Sequence, residues 1–135
     1  LPVRPQSGAD LWGRMAHCMA QLFGEGYGPV GIRNTDSPAL PLERIEEGFA
    51  KAGPGRVVLG PDPGGGYYLI VLGENCPELL EPYDVAADQV LATSVARAES
   101  LGLAGELLPE EPDIDTFADL LAHWGVPGPL RDLHE

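Results

Sequence analysis

The segment Gly60 to Leu72, GPDPGGGYYLIVL, gives the clearest indication of how this chain folds. Its second half, Tyr67 to Leu72, is a continuous run of aromatic and aliphatic residues, which predicts a strand covered on both faces of a sheet. Its first half contains only glycine, proline and one aspartate, and it predicts a loop that enters this strand. Consecutive glycines let a ligand approach the backbone and supply N–H donors, but a tight loop before a core strand explains them equally well. The loop is not a P-loop, because no Lys-Ser or Lys-Thr pair follows its glycines.

Helical and extended patterns alternate on both sides of this strand. Apolar residues at helical spacing predict a helix over 10–23 that buries Leu11, Met15, Cys18, Met19 and Leu22. Further helices are predicted from Pro41 to the Gly53-Pro54-Gly55 break, over 85–101, and from Thr116 to about Trp124. Short strands are predicted at 29–33, 57–59 and 105–108, and an extended segment at 113–115. This alternation is typical of a layered α/β fold with parallel strand pairing.

Length and charge exclude several classes of protein. The 135 residues predict a single domain over 1–135, with an irregular tail at 125–135. A net charge of −13 argues against binding to nucleic acid or to an anionic membrane surface. No apolar run approaches the roughly 20 residues that span a bilayer, so we expect no membrane insertion. Cys18 and Cys76 lack metal-ligand spacing; a disulfide between them stays open, but a reduced, cytoplasmic protein is the expectation.

Acidic residues at strand ends are the strongest candidates for chemistry. In parallel sheets the ligand site lies at the carboxyl ends of the strands, which directs attention to the turns after Arg33, Leu59 and Ile114. Asp36 follows the first of these strands, where a carboxylate could bind Mg²⁺ or Mn²⁺ together with substrate phosphates. The alternative is that Asp36 only builds a turn before Ser37-Pro38.

Asp113 and Asp115 flank Ile114 in the last extended segment. Residues two apart on an extended chain point the same way, so both carboxylates could face one cleft. If Asp36 and Asp115 converged, they would form a plausible cation site. Alternatively, Asp115 only stabilises the N-terminus of the helix that follows.

Few basic side chains are present that could neutralise phosphate, since Lys and Arg total 8. Arg14 and Arg33 are candidates because they lie near the first helix and a strand end, although a solvated surface arginine is the commoner case. Tyr67 or Tyr68 could stack on a sugar or a base. The histidines have no partner motif, so nucleophile–histidine catalysis has no support.

Several segments, in the same order, resemble one known family. Val30 to Leu40, VGIRNTDSPAL, resembles the strand and G-T/S-D-x-P-x-L segment of bacterial glycosyltransferase-A-like proteins of the nucleotide-diphospho-sugar transferase superfamily. Gly60 to Leu72 resembles their GPA-x-D-G-G-Y-Y-L-I-G-L segment. Pro112 to Leu120, PDIDTFADL, resembles their D-x-D-T-x-x-D-L element. Residues 5–15 resemble their P-Q-x-x-x-D-L-G-x-R-M motif. The resemblance covers about residues 5 to 124.

This resemblance implies a GT-A, Rossmann-like fold with three layers, α/β/α, and a mostly parallel sheet. It also implies a divalent cation, Mg²⁺ or Mn²⁺, a nucleotide-linked donor and a small-molecule acceptor. Asp36 and Asp115 match the acidic positions expected to bind the cation and to act in catalysis. Gly65, Gly66 and Tyr67 match the acceptor-side loop, and Gly64 beside them is a further candidate for substrate binding.

The chain departs from the family pattern in three ways. Arg33-Asn34 replaces the apolar-Gly pair that usually precedes the position of Asp36. The aspartate of the family's glycine loop falls at Gly64 here, and Asp62, two residues away, is a candidate replacement. The chain also begins about where the third strand of the family is expected. The resemblance therefore implies the C-terminal two-thirds of the fold, without the first strand or strands and their basic nucleotide loop.

Three functions fit these patterns. The first is cation-dependent glycosyl transfer from a nucleotide-sugar donor. The second is a non-catalytic domain whose uncovered sheet edge binds a partner or a second copy of the chain. The third is nucleotidylyl transfer to a phosphorylated small molecule, which needs the same metal ligands.

Overall fold

In the computed structural model, which describes residues 8, 10–34, 40–82 and 84–111, helix α1 spans Leu11–Gly24. It begins where an oxygen of the Asp10 side chain accepts a hydrogen bond from Gly13 N at 2.7 Å, an N-terminal cap. The predicted helix over 10–23 is confirmed. Met15 and Met19 are buried as predicted, whereas Leu11 is 65% exposed because it lies in the first turn, beyond the core.

Four strands form one sheet in the order β1-β3-β2-β4: β1 is Val30–Arg33, β2 is Arg56–Pro61, β3 is Tyr67–Leu72 and β4 is Ala104–Leu107. β2 and β4 are parallel, but β3 runs antiparallel to both β1 and β2. The predicted α/β fold is confirmed, while the predicted mostly parallel pairing is wrong for these strands. Only five residues, 62–66, connect β2 to β3, which is too short for the crossover that parallel neighbours require.

Helices cover both faces of this sheet. On one face α1 and helix α3 (Val90–Ser100), with the 3₁₀ turn Pro77–Leu80, pack against Val57, Leu59, Ile70 and Leu72. On the other face helix α2 (Leu42–Lys51) lies so close that a Cβ on Gly48 would meet a methyl group of Leu69 at 2.9 Å. The three-layer arrangement is therefore present, with β3 at its centre. The predicted helix after Thr116, the tail and the segment at 113–115 lie outside the described residues.

The two cysteines are free thiols, so the described structure contains no Cys18–Cys76 disulfide. Both side chains are partly buried. Burial raises the pKa of the Cys76 thiol, and Glu78 beside it acts in the same direction. Cys76 is therefore a poor nucleophile at neutral pH.

Candidate functional site

Three strands end at the same edge of the sheet. Because β3 is antiparallel to β1 and β2, and β4 is parallel to β2, the strands β1, β2 and β4 all run in one direction. Their carboxyl ends bring Asn34, Asp62 and the segment Leu108–Glu111 to the edge where β3 begins at Tyr67. This is the edge at which α/β proteins bind their ligands.

The glycine loop between β2 and β3 is organised by Asp62. Its Oδ1 accepts hydrogen bonds from Gly64 N at 2.8 Å and Gly66 N at 3.1 Å, and its own N–H donates to Gly66 O at 3.1 Å. These bonds occupy backbone donors that the sequence suggested for a ligand. Asp62, considered as a replacement for the carboxylate missing at Gly64, uses Oδ1 to shape the loop.

Gly65 attaches this loop to the start of α3. Its φ of +86° is a conformation that residues with a side chain rarely adopt, and an added Cβ would lie 2.0 Å from Asp88 O. The carbonyl oxygen of Gly65 accepts a hydrogen bond from Leu91 N, in the first turn of α3, at 2.8 Å. The glycine at this position is therefore required by packing between the loop and the helix.

A β-bulge determines where Tyr68 lies. Gly60 pairs with Leu69 and Pro61 pairs with Tyr67, so Tyr68 is the extra residue between these pairs. Such an insertion can redirect a side chain. Tyr67 packs with the cluster on the α1 and α3 face, whereas the fully buried Tyr68 packs with the cluster on the α2 face. The Tyr68 ring lies over Gly60, where an added Cβ would come within 2.2 Å of it.

Charged side chains from α2 and from the segment after β4 meet near the Tyr68 hydroxyl. Arg44 forms an ion pair with Glu47 on α2, and its Nε lies 3.7 Å from Glu111 Oε2. Burial raises the pKa of Tyr68 to about 12; the negative charges of Glu111 and Glu47 raise it too, while Arg44 lowers it. Tyr68 is therefore neutral at physiological pH, and its hydroxyl is a hydrogen-bond donor.

Two buried oxygens at this edge have no hydrogen-bond donor among the described residues. They are Asn34 Oδ1, directly after β1, and Glu111 Oε2, which faces Arg44 without a hydrogen bond. A buried acceptor without a donor is unfavourable, so a further group is expected to satisfy it.

The sequence-predicted site residues are only partly assembled. Gly64, Gly65, Gly66 and Tyr67 lie at this edge, and Arg33 ends β1, with Nε donating to Asn34 O at 3.1 Å. Arg14 is exposed in α1, a different element. Asp36 and Asp115, the predicted metal ligands, lie outside the described residues. Within 8, 10–34, 40–82 and 84–111, no group of three His, Cys, Asp or Glu side chains could hold a metal ion.

Sequence reasoning missed Arg44, Glu47 and Glu111. It considered Tyr68 for stacking on a sugar or a base, which is wrong because the ring is fully buried in the cluster on the α2 face. The spacing of Arg44 and Glu47, three residues apart on a helix, was a visible signal for an ion pair. Glu111 reads as part of a solvated acidic run, and no local pattern connects it with Tyr68. In the part of the chain that is described, no helix is long and apolar enough to cross a membrane.

One solved structure has the same fold over most of this chain. It comes from Desulfovibrio desulfuricans G20 and is provisionally assigned as a nucleotide-diphospho-sugar transferase. The match has 29% sequence identity and a TM-score of 0.80, and it covers 89% of this chain and 53% of that one. This chain thus spans about half the length of the protein it resembles. The match agrees with the superfamily suggested by the sequence.

Comparison with curated proteins gave no match. A protein family, in contrast, matches more than half of the chain, from the first residue into the connector before α3. With residues 1–86 matched, the chain belongs to DUF2064, a family described as uncharacterised proteins conserved in bacteria.

Proposed function

We propose that the chain is part of a transferase that uses a nucleotide-diphospho-sugar donor and a divalent cation, Mg²⁺ or Mn²⁺. The observation that carries this proposal is the 0.80 TM-score match to a protein provisionally assigned to that class. The sheet supports it, because the carboxyl ends of β1, β2 and β4 meet where such a fold binds its ligand.

Asp36 and Asp115 are the proposed ligands of the cation and the catalytic carboxylates. Each follows a described residue of the site edge: Asn34 precedes Asp36 by two positions, and Glu111 precedes Asp115 by four. The buried Oδ1 of Asn34, which lacks a donor among the described residues, adds an oxygen acceptor of the kind that Mg²⁺ prefers. When bound, the cation would supply Lewis-acid stabilisation of the departing diphosphate.

The remaining candidate residues would orient the substrates. Arg33, exposed at the end of β1, would neutralise part of the donor diphosphate. The loop Gly64 to Gly66 would contribute a fixed, side-chain-free wall to the acceptor pocket, because its backbone is held by Asp62 and α3. Tyr67 would contribute an aromatic face to a sugar ring. Arg14 stays a weaker candidate for contact with phosphate.

Isothermal titration with Mn²⁺ and a panel of UDP- and GDP-sugars tests this proposal. We expect binding of at least one nucleotide-sugar that depends on Mn²⁺ and is lost in Asp36→Asn and Asp115→Asn. Glu99→Gln is the control, because it removes the same charge at an exposed position in the last turn of α3, which lies beside the start of β4 and therefore opposite the site edge. Absence of any cation-dependent binding, or equal binding in all three variants, would contradict the proposal.

A non-catalytic domain is the second candidate, and one observation favours it. The family carboxylate is missing at Gly64, and Asp62, the nearest replacement, is engaged with the loop backbone. In this alternative the unpaired backbone groups of an outer strand of the sheet would bind a partner or a second copy of the chain. Sedimentation of the chain at micromolar concentration, combined with the titration, separates the alternatives. A chain that sediments as a monomer and binds a nucleotide-sugar in the titration excludes the second candidate.

A further inference from the structure

Tyr68 contacts both chain segments that lead to the proposed metal ligands. Its backbone carbonyl accepts a hydrogen bond from Asn34 N at 3.0 Å. Its hydroxyl donates to Pro109 O at 2.8 Å. One residue of the central strand therefore joins the carboxyl end of β1 to the segment that follows β4.

The position of the Tyr68 ring is constrained by the backbone, by Gly60 and by burial. The bulge turns it toward α2, the missing side chain of Gly60 leaves room beneath it, and its exposed fraction is 0%. A tyrosine in this place has no freedom to follow Pro109 if that residue moves. The hydroxyl is therefore one of the contacts that hold the segment after β4 in place, and it does so through Pro109 O.

Other contacts hold this segment along β2. Leu108 N donates to Leu59 O at 2.9 Å, and Glu111 N donates to Pro61 O at 3.1 Å. These two bonds fix the segment relative to β2. Tyr68, on β3, connects the segment with the end of β1, because it bonds to Pro109 O and to Asn34 N. The ion pair between Arg44 and Glu111 acts from the α2 face.

We propose that Tyr68 is a positioning residue that sets the spacing between the end of β1 and the segment after β4. This inference rests on the proposed function. That function requires the carboxylates of Asp36 and Asp115, which follow the two segments, to bind one cation, and the spacing of the segments therefore affects cation binding. Tyr68 itself touches neither substrate nor cation; it acts through Asn34 and Pro109.

Tyr68→Phe is the conservative test, since it removes the hydroxyl and keeps the ring. Loss of one hydrogen bond that orients a ligand segment should weaken Mn²⁺ binding by roughly five-fold, the factor that corresponds to a typical net hydrogen bond. Amide hydrogen exchange should accelerate in peptides covering 104–111, with little change in α1. Both measurements use the full 135-residue chain, with Mn²⁺ alone as the probe.

Ser94→Ala is the matched control. Ser94 is also buried, and its hydroxyl donates to Val90 O at 2.8 Å within α3, away from both segments. This variant loses a comparable buried hydroxyl and should keep the Mn²⁺ affinity of the unsubstituted chain. An equal loss of affinity in Ser94→Ala would overturn the positioning role and assign the effect to lower stability.

The outcomes separate the inference from the proposed function. If the unsubstituted chain binds no Mn²⁺, the proposed function fails, and the positioning role fails with it. If the unsubstituted chain binds Mn²⁺ and Tyr68→Phe binds it equally well, the inference alone is overturned. Weaker binding in Tyr68→Phe, together with unchanged binding in Ser94→Ala, supports both.

Discussion

Gly60 and Tyr68 are complementary residues on neighbouring strands. A methyl group on Gly60 would lie 2.2 Å from the Tyr68 ring, well inside van der Waals contact, and the buried ring has no room to move. Gly60→Ala should therefore lower the free energy of unfolding by about 1–3 kcal/mol, the usual effect of overpacking a core.

Urea unfolding followed by circular dichroism measures this change. Gly105→Ala is the control, because Gly105 lies in a strand and a Cβ added there has no atom of a described residue within 4 Å apart from Gly105 itself and its two chain neighbours. It should change the stability by less than about 0.5 kcal/mol. Equal effects of the two substitutions would show that the ring does not occupy the space above Gly60.

The raised pKa of Tyr68 makes stability depend on pH in the alkaline range. The folded protein retains this phenolic proton up to pH about 12, whereas the unfolded chain releases it near the ordinary value of 10.0. The contribution is fully present below pH 10 and is lost as pH rises to 12. The loss should approach about 2–3 kcal/mol, because each pKa unit corresponds to about 1.4 kcal/mol.

Comparison with Tyr68→Phe isolates this effect from other groups that titrate at alkaline pH. The difference in unfolding free energy between the two proteins should be constant up to pH 10 and should shrink from pH 10 to 12. A difference that does not change across this range would contradict a raised pKa at Tyr68.

The position of Tyr68 could not be read from the sequence. Strict alternation along Tyr67 to Leu72 places Tyr68 on the same face as Ile70 and Leu72, which is the α1 and α3 face. The bulge opposite Gly60 and Pro61 reverses the faces of Tyr67 and Tyr68 relative to the rest of the strand. A bulge depends on pairing between two strands, so the sequence of one strand does not reveal it.

At the scale of elements, the contact between the glycine loop and α3 is the feature most open to test. Gly65→Ala places a Cβ 2.0 Å from Asp88 O and also strains a backbone with φ of +86°. We expect the free energy of unfolding to fall by about 1–3 kcal/mol. Amide exchange should accelerate at the start of α3.

Gly64→Ala is the comparison for this prediction. Gly64 has no positive φ, and the nearest atom to its added Cβ is Asp62 Oδ1 at 3.3 Å. The substitution should therefore have a much smaller effect on stability. If Gly64→Ala destabilises the protein as strongly as Gly65→Ala, the contact of Gly65 with α3 does not explain the loss of stability.

Elements with strong local signals were predicted well. The apolar run gave β3 its observed bounds, Tyr67–Leu72, and helical spacing located α1 to within one residue. The helix predicted over 85–101 instead begins as a 3₁₀ turn, Ala87–Gln89, and becomes α-helical at Val90. The glycine loop packs on the backbone of Asp88 in this turn, a contact between distant segments that periodicity cannot register.

At the scale of the whole molecule, the alternation of helices and strands predicted the layers but not every strand direction. The rule that links alternation to parallel pairing assumes a helix between successive strands. β2 and β3 are joined by a short loop, so they pair as a hairpin and β3 is inverted. The three strands β1, β2 and β4 still run in one direction, so their carboxyl ends lie at one edge, where the sequence predicts the ligand site.

The candidate site was predicted less completely than the fold. The sequence identified the glycine loop and the end of β1, but not the cluster of Tyr68, Arg44 and Glu111, which forms only when α2 and the segment after β4 meet. That Asp36 and Asp115 bind a cation stays a prediction, because both lie outside the described residues.

The most direct test of the account is a thermodynamic cycle for Mn²⁺ binding across Asp36→Asn, Asp115→Asn and the double variant, measured by electron paramagnetic resonance. If both carboxylates hold one ion, each single variant should lose most of the affinity, and the double variant should lose little more. Strictly additive losses, or Mn²⁺ binding that survives either substitution, would contradict the claim that Asp36 and Asp115 bind the same cation.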